Sequence, residues 1–160
     1  MKELDSYGVD YIVMVCNTIH LYYDRLQNEI KTPILNLKDE LKELLINKNI
    51  KSTLIVGTPN TIKQGLYRFE DVKTYEPNEE EMELLTDSIF RFNKGDKKVI
   101  KDVKKICDNY LNNGAKTVIL GCTEFGVMLG NENIPKINTI DVLVDAVIKK
   151  LSNITNSNYL

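Results

Sequence analysis

Two short apolar runs in this chain end in the same way. Tyr11-Ile12-Val13-Met14-Val15 leads into Cys16-Asn17-Thr18, and Thr117-Val118-Ile119-Leu120 leads into Gly121-Cys122-Thr123-Glu124. Both are of strand length and apolar without alternation, the pattern of a strand covered on both faces in a parallel sheet. Such strands lie between layers of helices, so the feature restricts the chain to an α/β architecture. The thiol closing each run falls where strand passes to helix. Ligands of open α/β sheets bind outside the carboxyl ends of the strands. Two thiols at that position suggest a pair working across one substrate.

The rest of the chain keeps the same rhythm. Strands are expected at 11–15, 33–35, 52–56, 72–75 and 117–120, with a short one at 136–138. Amphipathic helices are expected at 21–30, 38–48, 60–67, 79–90, 97–112 and 139–151. Asn78 followed by Glu79, Glu80 and Glu81 supplies a cap and negative charge at a helix start. Asn112-Asn113-Gly114 supplies a helix stop. Alternating elements predict right-handed βαβ units. Residues 1–8 resemble the end of a helix closed by Gly8, so the domain is expected to start in its middle, and the polar tail 152–160 is expected to fray.

Composition removes several function classes. The 160 residues suffice for one domain or two small ones, and 42% hydrophobic with 28% charged residues is ordinary for a globular protein. A net charge of -2 offers no basic field for nucleic acid or an anionic membrane. No apolar run approaches a membrane span, and the N-terminus lacks the apolar core of a signal peptide. Three cysteines without a CxxC pair indicate neither a disulfide framework nor a zinc site, and free thiols fit a cytoplasmic location. The single histidine, His20, argues against a His-based metal site or a serine triad.

A thiol at a strand-to-helix junction meets unpaired backbone N–H groups and the positive end of the helix dipole. That setting is expected to favour thiolate at Cys16 and Cys122. One thiolate can remove a proton from a carbon stereocentre while the other thiol protonates the opposite face. The bland alternative is a pair of inert buried cysteines.

Cys16-Asn17-Thr18-Ile19-His20 resembles the first cysteine motif of the aspartate/glutamate racemase superfamily, and Gly121-Cys122-Thr123-Glu124 resembles the second. Between them, Gly57-Thr58-Pro59-Asn60-Thr61 and Gly65-Leu66-Tyr67 are similar to the threonine-rich loop and Gly-x-Tyr element of the family, and 134–139 to its closing strand. The form with Glu124 is the aspartate-racemase type. The resemblance implies two flavodoxin-like parallel-sheet lobes with the active site between them and the first lobe incomplete. Lobe one would comprise 1–35 plus 135–160, and lobe two 36–134. It implies PLP-independent racemisation of aspartate or glutamate with Cys16 and Cys122 as the catalytic acid and base, and no cofactor or metal. Asn17, Thr18, Thr58 and Thr123 would bind the α-carboxylate or α-amino group, assisted by Thr61. Two departures stand out: the first strand–helix–strand portion of the family is absent, and Asn138 occupies a place where Asp is common.

Other residues have plainer readings. His20 either tunes Cys16 or bonds within its helix; Glu124 either orients a substrate amine or favours a helix start by its charge. Cys107 lies on the apolar stripe of Val99, Val103 and Ile106 and is expected to be core. Tyr67 and Arg68 are assigned to packing, although Arg68 could meet a carboxylate. The lysine-rich 94–105 and the glutamates at 79–83 are expected to be solvated helix faces. The leading expectation is a racemase with a small amino-acid substrate; a homodimer is possible. The alternatives are a related cysteine-dependent isomerase or decarboxylase, and a truncated or degenerate member acting as a non-catalytic amino-acid-binding module.

Overall fold

The computed structural model describes residues 1–157. The chain opens with α1 (Lys2–Ser6), closed by Gly8 in the left-handed region at φ 68°, where a residue with a Cβ would be strained. The segment 9–16 follows without forming a strand. A 3-10 turn, Thr18–Tyr22, then passes into α2 (Tyr23–Gln27) and α3 (Leu37–Asn47). Next come β1 (Ser52–Gly57), α4 (Pro59–Lys63), β2 (Lys73–Tyr75), α5 (Glu79–Asn93) and α6 (Val99–Asn112). The chain continues through β3 (Thr117–Gly121), α7 (Thr123–Leu129), β4 (Lys136–Asn138) and α8 (Thr139–Ser157).

The four strands form one parallel sheet in the order β2-β1-β3-β4. Successive side chains of a strand point to opposite faces, and the core divides accordingly. Leu54, Val56, Val118 and Leu120 pack beneath α5, α6 and α7, against Leu85, Val103 and Phe125. Ile55, Ile119 and Ile137 pack on the other side, against Leu41, Ile62 and Leu143 of α3, α4 and α8. Every residue of β1 and β3 is buried, as their unalternating sequences predict. In register, Gly57 pairs with Gly121, so β1 and β3 end level with each other. A Cβ on Gly57 would lie 3.1 Å from the Gly121 carbonyl oxygen, tight enough that the two strand ends would have to move apart slightly.

Four expectations are corrected. The 11–15 and 33–35 runs meet through a single parallel bridge, Ile12 to Ile34. Ile12 and Met14 bury themselves against Ile30 and Ile34, while Val13 is 37% and Val15 54% exposed. The run is therefore covered on one face only. The helix expected at 21–30 is replaced by the 3-10 turn and five-residue α2. The helix expected at 60–67 stops at Lys63, and Gly65 at φ 67° turns the chain away. At the other end, α8 continues through Ser157 where fraying was expected; 158–160 lie outside the described residues. The 136–138 run, grouped by sequence with the first lobe, pairs with β3. Val13 and Val15 border a small apolar hollow formed with Ile140, Val144 and Ile148 of α8, so that helix meets both parts of the chain. Among the described residues, no helix is long and apolar enough to cross a membrane.

Candidate active site

The level ends of β1 and β3 fix the first part of the site. Gly57 hands over to Thr58, the N-cap of α4, whose side-chain oxygen accepts from the Thr61 amide. Gly121 hands over to Cys122, the N-cap of α7. The segment 16–18 is drawn to this edge by polar contacts. Thr18 Oγ1 lies 3.1 Å from Thr58 Oγ1 and 2.9 Å from Thr61 Oγ1, and the last two are 3.1 Å apart. Three hydroxyls from two distant stretches thus form a triangle. Beside it the Tyr67 hydroxyl donates to Asn17 Oδ1. Asn17 is 3% exposed, and its Nδ2 has no partner among the described residues. A buried amide with two free N–H hydrogens is unusual in a native fold. Two such N–H donors can bond a carboxylate or a carbonyl oxygen.

Cys122 forms the other half with Thr123 and Glu124. The Cys122 thiol donates to Glu124 Oε2 at 2.9 Å, and Thr123 Oγ1 donates to the same oxygen at 2.7 Å. Burial, followed by the Glu124 bond and charge, pushes the Cys122 thiol up to about 12. The same bond, foremost among several including one to Asn93, holds Glu124 below the usual carboxylate range. The expected thiolate-favouring environment is therefore reversed at Cys122, which is held as thiol. Cys16 is exposed while Cys122 is buried, and negative charge on Cys16 contributes to raising Cys122. The same charge adds to the burial that raises Tyr67.

The expected residues fall into two groups at one sheet edge: Asn17, Thr18, Thr58 and Thr61 together, and Cys122, Thr123 and Glu124 together. Glu124 stands in the first turn of α7, as the helix-start reading expects, and there bonds the thiol and Thr123. His20 is buried and its Nε2 donates to the Met14 carbonyl at 2.9 Å, with burial lowering its pKa, so it holds the turn after Cys16 as a neutral ring. Cys107 sits in the core, where burial raises it to about 12. Arg68 does meet a carboxylate, that of Glu76, through two bonds of 2.6 and 2.7 Å. Asn138 closes on the α8 start, accepting from the Ile140 amide at 3.1 Å. Tyr67 is the contact that sequence reasoning assigned to packing alone; its place in a Gly-x-Tyr element was the available signal.

A model of the Asp/Glu/hydantoin racemase family matches residues 1–147. The chain belongs to that family. Among curated proteins, a glutamate racemase of Sulfurihydrogenibium sp. is 30% identical over 161 aligned positions, which cover 93% of this chain and 60% of that protein. The broad-specificity amino-acid racemase RacX of Bacillus subtilis is 36% identical over 67 residues, 41% of this chain and 29% of that protein. This racemase-family chain thus spans no more than about 60% of either relative. Among solved structures, an aspartate racemase homologue of Pyrococcus horikoshii superposes with a TM-score of 0.82 at 26% identity, covering 94% of this chain and 70% of that one. Picrophilus torridus aspartate racemase gives 0.77 at 29% identity, covering 93% and 65%. The α/β fold with a parallel sheet, expected from the sequence, is the racemase fold.

Proposed function

We propose that this chain carries the two-thiol centre of a cofactor-independent amino-acid racemase acting on aspartate, with Cys16 and Cys122 as the proton carriers. The observation that carries the reading is the gathering of the buried Asn17 amide, next in sequence to Cys16, and the Thr18, Thr58 and Thr61 hydroxyls at the level ends of β1 and β3, where Cys122 caps α7. Starting from protonated Cys122, the Cys16 thiolate takes the α-hydrogen as a proton and the electron pair stays on the α-carbon. Cys122 then gives its proton to the opposite face. The product leaves with Cys16 as thiol and Cys122 as thiolate, and the reverse direction exchanges their roles. Asn17 with the three threonines binds the α-carboxylate, while Thr123 and Glu124 face the α-amino group. Fixed donors at the carboxylate stabilise the carbanion-like state. Support for aspartate over glutamate comes from Glu124 in the second motif and from the Picrophilus relative.

In this reading 1–35 with 135–160 forms the lobe that carries Cys16, and 36–134 the lobe that carries Cys122. Both thiols must stay reduced, which suits the cytoplasm. A homodimer is part of the proposal; sedimentation of the full chain at twice its monomer mass is the expected result, and a monomer at all concentrations removes it. The test of function is the conversion of L-aspartate followed by chiral chromatography. Both enantiomers should appear, and Cys16→Ser and Cys122→Ser should each lower the rate by at least about 100-fold. No conversion of aspartate or glutamate by the wild-type chain removes the reading. One observation favours a second reading: Cys16 is exposed, so a carbanion beside it would meet water. Aspartate binding by calorimetry without conversion would identify an amino-acid-binding module instead.

A further inference from the structure

Tyr67 lies on the loop that Gly65 turns out of α4, and its ring is fully buried. A buried phenol needs an acceptor for its hydrogen. Among the described residues its acceptor is Asn17 Oδ1, fifty positions away in sequence. That bond decides which end of the amide is which. With Oδ1 engaged, Nδ2 is the free end, and it is the end that lacks a partner in the interior. A phenylalanine would fill the same space and leave the amide free to turn over. The ring also lies beside Gly121, where an added Cβ would come 3.4 Å from Tyr67 Cε2. Burial and the charge of Cys16 both keep the phenol protonated, and so keep it a donor.

We infer that Tyr67 is a positioning residue: it locks the Asn17 side-chain amide so that the two Nδ2 hydrogens are presented to the carboxylate of the substrate. The inference rests on the reading of the 16–18 segment as a carboxylate receptor, and extends it to a residue that touches no substrate. Thr18, next in sequence, is tied separately into the hydroxyl triangle. Tyr67 therefore governs one donor group and leaves the others in place.

The test uses the full chain labelled with 15N, the Asn17 side-chain amide signal being assigned by its loss in Asn17→Ala. In ligand-free protein, Tyr67→Phe should displace and broaden that signal. An unmoved signal overturns the inference whether or not the chain converts aspartate. In the second arm, sodium aspartate should shift the wild-type signal, and Tyr67→Phe should need about tenfold more aspartate for the same shift. The KM for racemisation should rise by about the same factor with kcat within about twofold. Unchanged KM and unchanged titration in Tyr67→Phe overturn the inference and leave the two-thiol reading standing. Absence of racemisation in wild type removes the two-thiol reading, while the ligand-free signal still decides on Tyr67. Should Tyr67→Phe not fold, Asn17→Asp replaces it, since this variant keeps an acceptor for the phenol and loses the donor. Titrated with sodium aspartate by calorimetry, it should bind at least about tenfold more weakly than wild type; retained affinity overturns the inference.

Discussion

Cys122 and Glu124 share one hydrogen, and that sharing helps to hold Cys122 as a thiol. The helix dipole favours a thiolate by about 0.3–1 kcal/mol. The rise from 9.0 to about 12 at Cys122 corresponds to about 4 kcal/mol in the other direction. Burial and the carboxylate win by a wide margin. Glu124→Gln removes the charge that opposes thiolate, so the Cys122 pKa should fall. Alkylation by iodoacetamide across a pH series, in a chain also carrying Cys16→Ser and Cys107→Ser, measures this directly. The reaction should begin at lower pH than with Glu124 present; identical profiles would show that the carboxylate does not hold the thiol. At this scale the sequence was readable where chemistry is local. Cysteines and threonines just past strand ends are visible as a pattern. The Tyr67 to Asn17 bond joins positions 50 apart; the Gly-x-Tyr element marks the tyrosine but not its partner.

Elements were legible in proportion to how completely their neighbours cover them. β1 and β3 are flanked on both edges and both faces, and their apolar runs say so. The 11–15 run has the same composition but bridges one neighbour at a single point, and Val13 and Val15 lie open. Composition does not record which edge is occupied. Helix α5 is the opposite case, because its start is written in four residues. Asn78 Oδ1 accepts from the Glu81 amide at 2.9 Å, and the Glu81 carboxylate accepts from the Asn78 amide at 2.9 Å. Asn78→Ala should destabilise the fold by about 1 kcal/mol. Urea unfolding at neutral pH reads this as a lower midpoint with unchanged slope; an unchanged midpoint would mean that the cap contributes nothing.

Taken whole, the molecule buries acidic hydrogens that an unfolded chain would release at lower pH. Cys107 and Cys122 move from 9.0 to about 12, each chiefly by burial. Between those values the folded state holds protons that the unfolded state has lost, so stability falls as pH rises. Urea midpoints should decline from pH 8 to pH 10, less steeply in Cys107→Ala; a level profile would contradict the burial of both thiols. The same interior sets the α/β fold that the chain shares with its racemase relatives, two level strand ends furnishing Thr58 and Cys122. What the whole chain does there is tested most directly by incubating it with L-aspartate in deuterium oxide and following the α-proton by NMR. Loss of the α-proton signal, with deuterium at the α-carbon, is expected in wild type and not in Cys16→Ser. An α-proton that persists in the presence of wild-type chain would contradict the two-thiol reading.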